Sequence, residues 1–330
     1  MFRRITILTA LLFVVILAAG CFANNRVSLW PSNDEALTTI LVKKPAHHTD
    51  NRVLLLDIEG PISEWGESRL FHQTEPTTTI VRAKLEKAMQ DPRIKAVVLR
   101  INSPGGTVTG TDIVYTQLKK YKNTAKVPFV ASFMGLAASG GYYVACAADR
   151  IYAHPTTLTG SIGVLIHSFG FAGLFQKIGM ESRVIKAGKM KDMGNPFAQM
   201  SDEERAIWQG IVDDAYERFI SVVAEGRPNL TVDKIRELAD GRIYTATQAK
   251  KLGLVDQIGD LEDAIGEAMR LANIRDAGVI LYSTSERPEQ NIYSRTDAAA
   301  PQITLGFSGL SMDELLDAGR PRFYYMWMGF

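Results

Sequence analysis

The sequence predicts an α/β domain built on a largely parallel sheet with helices on both faces. Two observations carry this. Near-continuous apolar runs of strand length occur at 52–58 (RVLLLDI), 95–101 (KAVVLRI) and 127–134 (VPFVASFM), and the segments between them show helical periodicity. Strict apolar/polar alternation would mark a sheet wet on one face, whereas unbroken runs mark strands buried on both. Strands that alternate with helices need crossover connections, and these favour parallel pairing.

The first strand is followed by a helix over 78–90 carrying Ile80, Ala83, Leu85 and Met89, and the second by a helix over 109–122. The third leads through the small residues 135–141 into another helix. Short strands are expected at 150–153 and 161–167, then a helix at 171–178 and a strand at 182–186. Ser201 and Glu204 have capping-box spacing and open a helix in which Trp208, Ile211, Ala215, Phe219 and Val222 recur at helical intervals. Thr231 caps a further helix, Gly253 stops one over 245–252, and 261–272 forms the last. Beyond 285 the chain turns polar and ends in an aromatic run, 323–328, expected to pack on the domain. The predicted organisation is an anchor over 1–23, a spacer over 24–50, a compact domain over 51–280 and a tail over 281–330.

With 37 Lys+Arg against 36 Asp+Glu, the net charge is +1, so the chain lacks the basic excess that binds a phosphate backbone, and nucleic acid is not an expected partner. Cys21 and Cys146 are too few for a disulfide framework. Neither they nor the scattered His47, His48, His72, His154 and His167 have metal-ligand spacing, so no metal and no cofactor is expected. The N-terminus departs from the average composition: Arg3 and Arg4 precede nineteen uncharged residues, 5–23. That stretch reads as a membrane-spanning anchor with its N-terminus in the cytoplasm, as a cleaved signal, or as a lipoprotein signal ending at Cys21. All three export the rest of the chain.

Two glycine turns carry candidate chemistry. In 102–106 (NSPGG), Gly105 and Gly106 let the backbone turn sharply and aim N–H groups at a developing oxyanion, although a plain strand-to-helix turn has the same composition. It lacks the Lys-Ser/Thr ending of a phosphate loop. In 137–143 (AASGGYY), Ser139 falls at a helix N-terminus, where free amides favour negative charge; a simple N-cap is the alternative. A serine nucleophile needs a base, and the histidines have no accompanying signature. The segment 186–192 (KAGKMKD) offers Lys186, Lys189 and Lys191, either as a source of a neutral, buried amine or as a solvated basic loop.

Ser-Pro-Gly-Gly at 103–106, Ala-Ser-Gly-Gly-Tyr-Tyr at 138–143, Leu-Thr-Gly-Ser-Ile-Gly at 158–163, Lys-Ala-Gly-Lys-Met-Lys-Asp at 186–192 and Asp-Gly-Arg-Ile-Tyr-Thr at 240–245 follow one another in the chain. In this order they resemble the S49 family of serine peptidases, in its short form with one catalytic repeat. The resemblance covers roughly 50–275. It implies a fold like that of Clp protease and the crotonases, with stacked turns of parallel sheet surrounded by helices. It further implies Ser139 as nucleophile, Lys191 as general base, Ser161 as the residue orienting the lysine, and Gly106 as backbone oxyanion donor with Gly105 shaping the turn. Implied too is a membrane-bound homo-oligomer on the outer side of the bacterial inner membrane, with sites shared between protomers. Its implied substrates are signal-peptide remnants and other hydrophobic peptides. Two alternatives stay open: a crotonase-type acyl-thioester enzyme, disfavoured because coenzyme A is cytoplasmic, and an inactive scaffold of the same fold.

Overall fold

The structure, a computed structural model, describes residues 37–66, 68, 69, 72, 73, 75–284, 291–294 and 322–327. The expected anchor, Cys21 and residues 24–36 of the spacer lie outside these. Among the described residues no helix is long and apolar enough to cross a membrane.

The chain begins with β1 (Thr38–Lys43), β2 (Arg52–Glu59) and a small hairpin of β3 (Ser68–Arg69) and β4 (His72–Gln73), then α1 (Thr77–Met89) and β5 (Ile94–Ser103). Next come β6 (Gly105–Thr107), α2 (Val108–Ala125), β7 (Phe129–Ala138), α3 (Gly140–Ala145), β8 (Arg150–Ala153), β9 (Leu158–Gly160), β10 (Leu165–His167) and α4 (Ala172–Lys177). The rest comprises α5 (Asp202–Gly226), α6 (Val232–Leu238), β11 (Ile243–Thr245), α7 (Ala246–Lys251), β12 (Gln257–Ile258), α8 (Leu261–Leu271), β13 (Gly278–Ser283) and β14 (Arg322–Met326). The main sheet runs β1-β13-β2-β5-β7-β8-β12, with β9 joining β7 to β11. The pairings β13/β2, β2/β5, β5/β7, β7/β8, β7/β9 and β8/β12 are parallel.

Why the strand runs are apolar throughout follows from which core each residue enters. Leu54, Leu56, Val97, Leu99, Phe129 and Ala131 belong to the larger core, beneath the helices that carry Val81, Val114, Tyr143 and Phe219. Their immediate neighbours Val53, Leu55, Ala96, Val98 and Val130 face the other way, onto Leu261, Ala264, Ile265 and Ala268 of α8. A period-two backbone buried on both faces leaves a polar residue a place only where it finds a partner. The helix starts obey local chemistry: Ser201 and Glu204 form the expected capping box, Thr231 caps α6, and Gly253 adopts φ +81° after α7.

The structure departs from the sequence reading at several points. The sheet reaches into both flanks of the expected domain: β1, inside the stretch read as spacer, pairs antiparallel with β13, and β13 and β14 lie partly or wholly in the stretch read as tail. The strand expected over 161–167 is broken, because Ser161 takes φ +48° between β9 and β10. No strand forms at 182–186. Residues 181–189 are all exposed, so the apolar side chains there have no sheet to join.

Residues 291–294 are fastened across the sheet by a buried arginine. Arg100 Nε donates to Asp57 Oδ1 at 2.6 Å, and its terminal nitrogens donate to the Ile292 and Ser294 carbonyls. Both Arg100 and Asp57 are only 8% exposed. Arg100→Leu removes the guanidinium from beside a buried carboxylate and is expected to cost about 3–5 kcal/mol. A lowered urea midpoint with an unchanged slope would report it.

Candidate active site

Strand β7 ends at Ala138, and the chain turns at Ser139 directly into α3. Ser139 has φ +52° and ψ −115°, and its side chain makes no capping bond. The N-cap alternative therefore does not hold. A non-glycine residue in this region costs on the order of 1–3 kcal/mol and persists only where its surroundings fix it. Here the Ser139 N–H donates to Gly160 O at 2.7 Å, tying the turn to β9, and its carbonyl accepts from Tyr143 N at 2.9 Å. The residue is 1% exposed, and its hydroxyl has no hydrogen-bond partner among the described residues. Sharp strand-to-helix turns of this kind present a serine Oγ at the end of a sheet.

The first glycine turn packs against the second with no room for side chains. Gly105 has φ +107°, and a Cβ there would stand 1.9 Å from Tyr325 O and 2.7 Å from Gly140 N. A Cβ on Gly106 would stand 1.8 Å from Ile62 O, and one on Gly140 would lie 3.0 Å from Gly106 N and 2.7 Å from Thr111 Oγ1. The Gly106 and Gly140 amides thus approach each other beside Ser139. Strand β6 is held from behind, with Ile62 N donating to Gly105 O and Thr107 N donating to Ile62 O, both at 2.9 Å.

Ser161 follows Gly160 and is set by a second strained backbone, φ +48°, with its N–H donated to Arg242 O at 2.7 Å. It lines a cavity of about 350 Å³ together with Gly163, Asp213, Tyr216, Asp240 and Met326. The Arg242 guanidinium beside Asp240 holds its carboxyl below the usual carboxylate range. Ser139 is thus linked to the Gly105-Gly106 turn through Gly140 and to Ser161 through Gly160. Lys191 is not joined to them. It is exposed in a turn-rich segment where Lys191 N donates to Gly188 O at 3.2 Å, Lys186 pairs with Asp192, and Lys189 with Glu203.

Two features escaped the sequence. The Gly140 amide is one. The other is β14, which pairs antiparallel with β6 on one edge, placing Tyr325 opposite Gly106, and with β10 on the other. Trp327 N continues this ladder to Pro104 O at 2.8 Å. The Tyr325 ring is fully buried, 5.1 Å from Tyr143 and 4.9 Å from Phe219, and its hydroxyl donates to Ala215 O at 2.6 Å. Burial pushes the Tyr325 and Tyr143 phenols up. The aromatic run, expected only to pack on the domain, does so as a strand, and nothing local names its partner.

Comparison with known proteins decides the family. Residues 121–275 match the profile of Peptidase family S49. The chain is 39% identical over 234 residues to "Putative signal peptide peptidase SppA" of Enterococcus faecium, an alignment covering 71% of this chain and 67% of that protein. The chain belongs to peptidase family S49. A putative protease of Synechocystis sp. is 39% identical over 249 residues, 73% of this chain and 88% of the relative. Protease 4 of Haemophilus influenzae is 31% identical over 260 residues, which is 78% of this chain and 41% of that longer protein. The α/β architecture with its parallel-rich sheet fits the Clp protease-like fold of S49 peptidases, and the chain is accordingly a peptidase of SppA type.

Proposed function

We propose that this S49 peptidase is a membrane-anchored endopeptidase whose Ser139 attacks the scissile carbonyl while Lys191 of a neighbouring protomer acts as base. Its substrates are signal-peptide remnants and other hydrophobic peptides on the outer side of the bacterial inner membrane. The observation that carries this reading is the interlock at Ser139: a strained, buried serine directly before Gly140 and packed on the Gly105-Gly106 turn, whose Gly106 amide faces Tyr325 O along β14 and is free for an oxyanion once that strand gives way. An oxyanion needs donors placed before charge develops, and two backbone amides on turns that admit no side chain are fixed in advance.

Ser139 Oγ forms its bond to the carbonyl carbon as its proton passes to the lysine amine. The oxyanion rests on Gly106 and Gly140. The amine then returns the proton to the departing nitrogen as the peptide bond breaks, and water repeats the sequence on the acyl-enzyme. A lysine acts as base only when desolvated into its neutral form. The Ser161 hydroxyl, in the cavity it lines, would orient the incoming amine, and the second protomer has to close over it and exclude water, because Asp213 and Asp240 by themselves favour the charged amine. The segment carrying Lys191 also displays Phe169, Leu174, Ile178, Val184 and Ile185 to solvent, an apolar face suited to a second copy. The acyl-thioester alternative draws no support from the S49 relatives.

The test is complementation. Ser139→Ala and Lys191→Ala protomers are each expected to be inactive, yet co-assembled in equal amounts they should regain about a quarter of full activity, since random neighbours restore that share of shared sites. An inactive mixture, with oligomers of mixed composition confirmed by mass, would show that the two residues do not meet across protomers.

A further inference from the structure

We propose that Trp65 forms a subsite for a positively charged substrate side chain, arginine above all, three residues before the one whose carbonyl faces Gly106. This rests on the peptidase reading above and takes β14 as the stand-in for a substrate strand along β6, which a peptide must displace.

The backbone at Trp65 is tied to β6. Its loop is joined to β6 by the two Ile62 hydrogen bonds, and Thr107 Oγ1 donates to the Glu64 carboxylate. Ser63 Oγ closes the turn, donating to Trp65 O at 2.8 Å and accepting from Trp65 N at 3.1 Å. Despite this anchoring, the indole remains 48% exposed. A large aromatic ring held in place and left open to solvent is a recognition surface.

The chain's own strand shows which side chain reaches it. With Tyr325 opposite Gly106 and Tyr324 opposite Thr107, the register of β14 is fixed. Phe323 and Tyr325 lie on one side of the strand, where Phe323 stands 5.6 Å from Trp208. Arg322 leaves from the other side, and its guanidinium carbon stands 5.9 Å from the centre of the Trp65 ring. Strand pairing fixes register through the backbone and leaves specificity to alternate side chains. A peptide entering along β6 in the same register brings its corresponding side chain over Trp65. The ring face attracts a cation, a guanidinium also stacks on it, and Glu64 adds negative charge to the same rim.

The experiment uses the full chain and four peptides identical except at that position, which carries Arg, citrulline, Leu or Glu. Citrulline keeps the planar shape of arginine and loses the charge. The Arg peptide is expected to exceed the citrulline peptide by about 2- to 5-fold in kcat/KM, mainly through KM, with Glu the poorest. Trp65→Leu should erase this ranking, and Trp65→Phe should keep part of it. Equal cleavage of the Arg and citrulline peptides, or a ranking that survives Trp65→Leu, overturns the subsite and leaves the peptidase reading intact. Failure to cleave any of the four counts against the proposed endopeptidase action at this site, and the subsite falls with it.

Discussion

Ser139→Ala is expected to lower peptide hydrolysis on the order of 10⁴-fold or more, with the unfolding midpoint nearly unchanged. Both halves follow from the local structure. The hydroxyl has no hydrogen-bond partner among the described residues, and the strained φ of +52° is no worse for alanine than for serine, so the fold loses nothing. Chemistry loses the atom that forms the acyl bond. Lys191→Ala should match this loss, and the double variant should be no worse than either single one, because groups that act as a unit are not additive. Lys191→Arg should be equally inactive: a guanidinium keeps its proton and cannot serve as base. Single-turnover acylation by a serine-directed inhibitor, run beside a thermal melt, separates the two halves. A Ser139→Ala chain that still hydrolyses peptide at the original rate would falsify the assignment.

Gly106→Ala is expected to lower kcat by about 10²- to 10³-fold, the range seen when one oxyanion donor is lost. The added methyl would meet Ile62 O at 1.8 Å, a distance no relaxation of a side chain can relieve, because the obstacle is backbone. Either β6 or the Ile62 loop must move. Displacing β6 carries the Gly106 amide away from Gly140, whereas displacing the loop breaks two 2.9 Å hydrogen bonds. A loss of stability of about 1–3 kcal/mol should therefore accompany the kinetic defect. Ile62→Ala provides the control. It keeps the backbone contacts while shortening a buried side chain, so it should destabilise with far less effect on kcat. If both variants lose kcat equally, Gly106 acts through stability alone.

The sequence conveys best what is decided locally. The strands β2, β5 and β7 declare themselves because both faces are buried, and the capping box at Ser201 and the stop at Gly253 are read within one helical turn. Of the candidate site, the two glycine turns pack on each other, and the Ser139 N–H reaches Gly160, next to Ser161. What stays hidden is set by distant partners or unusual backbone. Strands β1 and β14 pair with segments far away in the chain. The positive φ of Ser161 has no signature in residue type, so a strand is expected to start there, whereas β10 begins at Leu165. The apolar residues at 184 and 185 look like part of a strand yet face solvent, because no strand among the described residues runs beside them.

Strand β14 also shapes how any affinity for this groove must be interpreted. Tyr325 occupies the position opposite Gly106, so an incoming peptide competes with a tethered rival whose ring is already buried on Tyr143 and Phe219. The apparent dissociation constant is then the intrinsic one divided by the fraction of chains whose terminal strand is undocked. Weak binding measured on the full chain is consequently compatible with a groove of high intrinsic complementarity. Conditions that loosen β14 without unfolding the sheet would strengthen apparent binding, the reverse of their usual effect.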